Sequence, residues 1–318
     1  MKVLVTPTSF LKPQNAQAKQ MIEDFADTVV YNDLGVPLKG DELLSRLEGV
    51  DGYIAGVDYI TADVIEKMPA SVKVISRYGA GVDRVDIPAC TKKGIVVTNT
   101  PGANAVAVCE LAFSLMLCCA RNIPVLHRAV EKGEWPRSEG IELNGKTLGI
   151  VGMGAIGKNL AVRARAFGMN VCAYDPYFDA DFAKQHGVVQ MELDALLSQA
   201  DFISLHVPLN DQTRHMIGRE RIAEMKQGAV VINTARGGLI DEQAAAEAVR
   251  AGRLGGLGLD AFEQEPLKDS PLFGLDRVIF TPHTGAHTAE AVANMGRMSV
   301  ENAIAVLSGK ECPYVLNK

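Results

Sequence analysis

The chain lacks the cysteine pattern of a disulfide-stapled or zinc-bound protein. Its six cysteines include no Cys-x-x-Cys pair and no paired spacing, which argues against a disulfide framework and leaves no zinc-ligand set. Cys109, Cys118 and Cys119 fall in one apolar helical stretch and read as small buried hydrophobes in a reducing compartment. No lysine–arginine cluster stands out and the formal net charge is −6, so nothing favours a nucleic-acid partner. There is no uninterrupted apolar run of the ~20 residues that a membrane crossing needs. The nearest, Ala105 to Ala120, is short and carries Glu110, and it reads as a buried helix. Nor is there a leader: Met1-Lys-Val-Leu-Val-Thr-Pro reaches proline after three apolar residues and reads as a first strand. Internal repeats and low-complexity segments are absent too. What remains is expected to be a soluble, cytoplasmic chain. Its 318 residues suffice for two domains, and 47% hydrophobic with 22% charged residues is ordinary globular composition.

Apolar strand-like runs alternate with helical ones from end to end, which predicts α/β architecture with parallel sheets. In the first hundred residues the strand runs are Val3–Thr6, Thr28–Tyr31, Gly52–Ala55, Val72–Ser76 and Ile95–Val97, and the helical ones lie around Gln14–Phe25, Leu43–Leu47 and Ala62–Lys67. No phosphate fingerprint occurs there, so residues 1–99 form a separate, smaller domain. A long helix from Asn104, as N-cap, to Arg121 is apolar on nearly all faces and must be covered on several sides, between domains or by a second subunit. After a connector, Lys132–Lys146, six strands follow: Thr147–Val151, Asn170–Tyr174, Phe202–His206, Ala229–Asn233, Gly256–Leu259 and Val278–Thr281. With helices Ile156–Phe167, Arg219–Met225 and Glu242–Ala251 between them, that is the count for a doubly wound dinucleotide domain over residues 100–287. A last amphipathic helix, Ala289–Ser308, returns to the first domain, so that 288–318 complete it.

Gly152-Met-Gly154-Ala155-Ile156-Gly157 follows a strand and opens a helix. A lone GxGxxG is weak evidence, but this context strengthens it. Gly152 permits the tight turn, Gly154 the approach of a pyrophosphate, and Gly157 helix–strand packing, while the amides opening the helix attract phosphate. Asp175 ends the next strand, 18 residues after Gly157. Its carboxylate suits the two ribose hydroxyls of NAD and repels a 2′-phosphate. No lysine or arginine occurs in the eight residues that follow, so NAD is favoured over NADP. His206 ends another strand and, with Pro208 and the polar Asn210-Asp-Gln-Thr213, lines the adenine side.

Arg236, Glu265 and His283 each follow a buried strand. Ligands of open parallel sheets bind outside the carboxyl ends of the strands, so an arginine, an acid and a histidine share one crevice with the dinucleotide. Hydride transfer involving a 2-hydroxy acid needs such a set: a base for the hydroxyl proton and a cation for the carboxylate. Histidine ordinarily titrates near physiological pH, which makes His283 the base candidate, and Glu265 would fix its tautomer. Arg236 would clamp the carboxylate and polarise the C2 oxygen. His283 and His287 stand four apart, a metal spacing on a helix, but Pro282 and Gly285 oppose a helix there. No metal is expected.

These motifs, with His206-Val207-Pro208-Leu, Asn233-Thr234-Ala235-Arg236-Gly-Gly, Asp260-Ala-Phe-Glu-Gln-Glu265-Pro and Thr281-Pro-His283, resemble the D-isomer-specific 2-hydroxyacid dehydrogenase family. Arg77-Tyr78-Gly79-Ala80-Gly81-Val-Asp83 and Asn99-Thr-Pro-Gly-Ala-Asn104 are similar to its substrate-side segments. The likeness runs from about residue 50 to the end. It implies a Rossmann-type NAD domain with a smaller flavodoxin-like substrate domain, a catalytic triad of Arg236, Glu265 and His283, and a homodimer. It also implies that Asp260 orients the nicotinamide amide, that Val207, Thr213, Thr234, Ala235 and Gly285 line the cofactor, and that Tyr78, Gly79, Ala80, Gly81 and Asn104 meet the substrate.

Within the family the chain is most similar to the D-3-phosphoglycerate dehydrogenase branch, through the segments around Thr98-Asn-Thr-Pro and Glu142-Leu-Asn-Gly-Lys-Thr-Leu-Gly. Two departures are expected to matter. No regulatory domain follows Leu307. The loop Ala55-Gly-Val-Asp58-Tyr59 lacks the arginine often found there, and Asp58 would repel a phosphate, with Lys12 as a substitute cation. The resemblance therefore implies phosphoglycerate as first substrate, with glyoxylate, hydroxypyruvate or an aliphatic 2-keto acid as the alternative. From another class, an NAD(H)-sensing corepressor of the C-terminal-binding-protein kind shares fold and triad, and is disfavoured because no tail follows the final helix.

Overall fold

Runs of β-branched and aliphatic residues only five or so long, separated by glycine-marked turns, become strands buried on both faces. The computed structural model, which describes residues 1–317, holds twelve of them in two parallel sheets. The chain divides into two compact units: Met1–Asn104 with the segment from His287 onward, and Ala105–Ala286.

In the first unit the strands are β1 (Lys2–Val5), β2 (Thr28–Tyr31), β3 (Gly52–Ala55), β4 (Val74–Arg77) and β5 (Val96–Thr98). Their order is β2-β1-β3-β4-β5, the flavodoxin-like arrangement. Alternate residues of each strand face opposite sides. Leu4, Tyr53, Ile75 and Val97 pack with Leu43, Val64, Ile65 and Cys90 of three short helices, Gly40–Arg46, Ala62–Lys67 and Ile87–Lys93. The helix Ala289–Leu307 packs beside Ala16–Phe25 and on β3, β4 and β5. Polar ties fix that return: Ser76 Oγ donates to the Ser299 carbonyl (2.7 Å) and Asn302 Nδ2 to the Asn99 carbonyl (2.9 Å).

The second unit holds β6 (Thr147–Val151), β7 (Asn170–Tyr174), β8 (Val188–Gln190), β9 (Phe202–Leu205), β10 (Ala229–Asn233), β11 (Leu254–Leu259) and β12 (Val278–Phe280). Their order is β12-β11-β10-β9-β6-β7-β8. The winding starts at β6, runs out to β8 and resumes on the other side at β9. The reversal between β6 and β9 is where doubly wound sheets take a dinucleotide. β8 is the seventh strand, one more than the sequence suggests. It is a three-residue edge strand with two exposed positions, too short for a period to register.

The helix Ala105–Ala120 lies against β10, β11, β12 and the helix Ala155–Ala166, so much of its apolar surface is covered inside its own unit. Cys109 is buried, but Cys118 and Cys119 are only half-buried. Successive helical residues point about 100° apart, so a single core cannot enclose both. Among the described residues no single helix is long and apolar enough to cross a membrane. Only Ala105–Ala120 with Ile123–Glu131, bent by 63°, meets that test as a pair.

Candidate active site

The glycine loop after β6 is shaped by close approach. At Gly152, with φ of 102°, a Cβ would sit 2.6 Å from the His206 carbonyl oxygen, so any other residue would push β6 from β9. At Gly154 a Cβ would meet nothing within 4 Å, leaving that face of the loop open. The helix beginning at Ala155 makes its first hydrogen bond from Lys158 N to the Gly154 carbonyl (3.0 Å). The amides of Ala155, Ile156 and Gly157 thus precede the helical ladder and carry its partial positive charge. Asp175, at the end of β7, accepts from Met153 N (2.6 Å) and Tyr177 N (2.7 Å). It braces the glycine loop with one oxygen and a turn with the other, and a carboxylate has further lone pairs for sugar hydroxyls.

Two buried polar atoms at neighbouring strand ends have no hydrogen-bond partner: His206 Nδ1 after β9 and Thr234 Oγ1 after β10. Orphaned buried groups are rare and mark places where a ligand completes the set. The other ring nitrogen of His206 pairs with Ser204 Oγ at 2.9 Å, and burial lowers the pKa to about 4, so the ring is neutral. Thr213 is employed differently, its hydroxyl closing a turn on the Pro208 carbonyl (2.7 Å). The open glycine loop, the unladdered amides, the placement of Asp175 and the two orphaned atoms together fit NAD.

Across the sheet Asn233, Leu259 and Phe280 stand in register on β10, β11 and β12. Adjacent strands lie about 4.8 Å apart, so the segments that leave these ends emerge side by side. Arg236 follows β10. Its turn is fixed by Asn233, which accepts from Ala235 N (3.0 Å) and donates to the Arg236 carbonyl (2.8 Å). Arg236 Nη1 donates to the Ala235 carbonyl at 2.7 Å. Gly237 then lies directly on the next segment: a Cβ there would come within 1.8 Å of the Phe262 carbonyl carbon.

Glu265 and His283 meet. His283 Nδ1 is 2.8 Å from Glu265 Oε1, which also accepts from Phe262 N at 3.2 Å. The carboxylate therefore assigns the proton to Nδ1 and leaves Nε2 as the second functional atom of the ring. The His283 side chain keeps 46% exposure against 26% for Glu265, so the ring remains accessible. His283 has φ of 49°, a left-handed conformation uncommon outside glycine. Its loop is pinned by Asp260, which is 1% exposed and accepts from Thr281 Oγ1 (2.6 Å), Thr284 N (2.8 Å) and Gly285 N (2.8 Å). This anchoring of the histidine loop by Asp260, Thr281 and Thr284 escaped the sequence reading. The only signal was the polar Thr281 before Pro282. The region between His283 and His287 is not helical, the next helix starting at Ala289, so the two histidines share no helix face.

In the first unit, Gly79 lies two residues after β4 with φ of 138°, and its amide donates to Thr100 Oγ1 at 3.0 Å. Asn99 Nδ2 holds the Ala80 carbonyl at 2.8 Å. Tyr78 is turned inward. Its hydroxyl donates to the Val292 carbonyl (2.9 Å) and receives Asn15 Nδ2 (3.2 Å), so it anchors the Gly79–Gly81 loop from behind. Asp58 corrects an expectation. It is 1% exposed and accepts from Tyr53 Oη (2.7 Å), Leu38 N (2.6 Å), Gly56 N (3.1 Å) and Thr6 Oγ1, so its charge is consumed inside the unit and does not face a phosphate.

A parallel sheet with a glycine loop at its reversal point and a histidine–carboxylate pair at neighbouring strand ends defines a nicotinamide-dinucleotide oxidoreductase domain. Comparison with known proteins supports this class and sharpens it. The family model for the D-isomer specific 2-hydroxyacid dehydrogenase, NAD binding domain, matches residues 113–285. The D-3-phosphoglycerate dehydrogenase of Methanocaldococcus jannaschii is 44% identical over 100% of this chain, which spans 59% of that protein's length. The hydroxypyruvate reductase of Thermotoga maritima is 44% identical over 91% of this chain and 94% of its own. The D-lactate dehydrogenase of Aquifex aeolicus, solved with NAD and lactic acid, superposes with a TM-score of 0.84 at 32% identity, covering 96% of both chains. The chain belongs to the D-isomer-specific 2-hydroxyacid dehydrogenase family, with NAD as cofactor.

Proposed function

We propose that this protein interconverts a small D-2-hydroxy acid and its 2-keto acid, with 3-phosphoglycerate and phosphohydroxypyruvate as the first candidates. The observation that carries the reading is the 2.8 Å His283–Glu265 pair on strand ends adjoining that of Arg236. When bound, the nicotinamide accepts or supplies the hydride. His283 Nε2 takes the hydroxyl proton in oxidation and returns it in reduction, and Glu265 steadies the imidazolium between. The Arg236 guanidinium holds the substrate carboxylate and stabilises charge on the C2 oxygen. In the first unit the Ala80 and Gly81 amides, with Asn104, are the candidates the family resemblance gives for the substrate carboxylate, the Gly79 amide being held by Thr100 Oγ1. Glycine-rich backbone suits that task because no side chain intervenes. Asp175 selects NAD by receiving the ribose hydroxyls.

The phosphate reading is supported by the inward turn of Asp58 and by Arg84, whose guanidinium lies 4.5 Å from the centre of the Tyr59 ring and donates to the Val57 carbonyl (2.7 Å). The loop after β3 is thus in contact with a cation although its own residues 56–59 include none. Hydroxypyruvate or glyoxylate is the second reading, favoured by the 44% identity to the Thermotoga reductase. A panel of 2-keto acids with NADH, phosphohydroxypyruvate included, tests both. Preference for an unphosphorylated acid would select the second, and no oxidation of NADH with any acid would favour a nucleotide-sensing protein instead. A homodimer completes the proposal. Val106, Ile123, Val130 and the 82%-exposed Trp135 leave an apolar margin along one segment, a surface suited to a second copy. A monomer in sedimentation equilibrium would dispose of that part.

A further inference from the structure

Two residues before Glu265, a second histidine–carboxylate pair occurs. His215 Nε2 lies 2.9 Å from Glu263 Oε1, with both side chains about two-fifths exposed. The contacts around it converge on the two segments that carry the catalytic side chains. His215 N donates to the Gly238 carbonyl at 2.7 Å, two residues beyond Arg236, and Ile217 N donates to the Leu239 carbonyl at 3.0 Å. Glu263 N donates to Glu242 Oε1 at 2.9 Å, and Gly237 closes against Phe262 and Glu263 from beneath. His215 itself has φ of 50°, a conformation that a histidine keeps only where its surroundings over-determine it. Burial, and behind it the Glu263 charge, raises the carboxyl pKa of Glu242, the residue that holds the Glu263 amide.

We infer that His215 and Glu263 form a clasp that positions Glu265 against His283 and sets its segment relative to the Arg236 turn. Neither is a catalytic residue. His215 grips the Arg236 turn by its backbone and the Glu265 segment by its ring, so one residue spaces the cation against the acid. Phe262 N and Glu265 Oε1 are bonded within that same segment, so a shift of Glu263 is transmitted to the oxygen that orients the imidazole. The inference rests on the roles proposed above for Glu265 and His283.

The test is NADH-linked reduction of hydroxypyruvate and phosphohydroxypyruvate by His215→Ala, Glu263→Ala and the double variant. It is joined by nitrogen chemical shifts of the His283 ring, which need no turnover. The expectation is a kcat lower by on the order of 10- to 100-fold, the scale of a displaced catalytic group, with the KM for NADH unchanged. The double variant should be no worse than either single one. His215→Gln, whose amide can still donate to Glu263, should restore most of the rate. In Glu263→Ala the His283 ring should pass from the Nδ1–H tautomer to a mixture. An unchanged kcat, additive losses, or a raised KM for NADH with kcat intact would overturn the clasp. So would an unmoved His283 signal in Glu263→Ala. Should the parent protein reduce neither acid, the functional reading fails while the ring signals still decide the positioning.

Discussion

Replacing Glu265 separates what the carboxylate does by charge from what it does by direction. In Glu265→Gln the amide oxygen is drawn to the position of Oε1, because Phe262 N requires an acceptor there and His283 Nδ1 requires the same one. The imidazole therefore keeps its tautomer and orientation and loses only the negative partner. A hydrogen bond to a charged group contributes about 1.5–3 kcal/mol net. At about 1.4 kcal/mol per decade that predicts a kcat roughly 10- to 150-fold lower. With the pair half-exposed, the lower part of the range is expected. Glu265→Ala loses the acceptor as well, frees the ring to rotate, and should be slower than Glu265→Gln by a further decade or so. The assay is initial-rate reduction of the preferred 2-keto acid at saturating NADH, with NADH affinity measured separately by fluorescence. Equal rates for the two variants would refute the orienting role, and a Glu265→Gln rate equal to that of the parent would refute the electrostatic one.

Arg236→Lys keeps the charge but cannot make two parallel bonds to a carboxylate, so KM for the keto acid should rise and kcat fall together. A change confined to one constant would count against the clamp. Asp175→Ala removes both the repulsion of a 2′-phosphate and the brace at Met153, so the ratio of NADH to NADPH efficiency should fall by a decade or more, on the order of a lost charged hydrogen bond. An unchanged ratio removes Asp175 from the site. His206 predicts a pH effect. Burial depresses its folded pKa to about 4, below the ~6.5 of an unfolded chain. The unfolded state thus binds the extra proton between these values. The stability contributed by neutral His206 is complete above ~6.5 and is lost as pH falls towards 4, to the extent of at most about 3 kcal/mol. Denaturation midpoints of the parent should fall more steeply over that window than those of His206→Gln; parallel curves would contradict the burial.

Much of this was legible in the amino-acid order because strands buried on both faces announce themselves. β2, β3, β6, β7 and β10 match apolar runs residue for residue. The edge strand β8 and the helices Ile87–Lys93, Ala180–His186 and Leu193–Gln199 were not legible, being seven residues long or less with few buried positions to reveal a period. At the site, the strand-end rule brought out Arg236, Glu265 and His283, since sheet order alone determines which ends adjoin. Asp58 marks where the amino-acid order ceases to inform. A charge in a loop at the end of β3 reads as a surface charge until the Tyr53 hydroxyl and three other donors are seen to enclose it, and these come from 2 to 52 residues away.

The same limit applies to Asp260, where a different role emerges from the one the family likeness implied. The left-handed backbone of His283 costs about 1–3 kcal/mol. Against it stand three bonds to one buried carboxylate, from Thr281 Oγ1, Thr284 N and Gly285 N, each worth about 1.5–3 kcal/mol. The loop is held in a shape it would not choose, and a single anion outweighs the strain. Asp260→Asn preserves size but puts an NH2 group where an oxygen received donors. Whichever way the amide turns, at least one donor of the loop faces another donor. The expected cost is about 1–3 kcal/mol in stability, with His283 displaced from Glu265. Thermal unfolding reads the first effect and ring-nitrogen shifts of His283 the second. A variant as stable as the parent, with the His283 signal in place, would show that backbone packing alone suffices to hold the histidine loop, and that Asp260 is free to serve the nicotinamide.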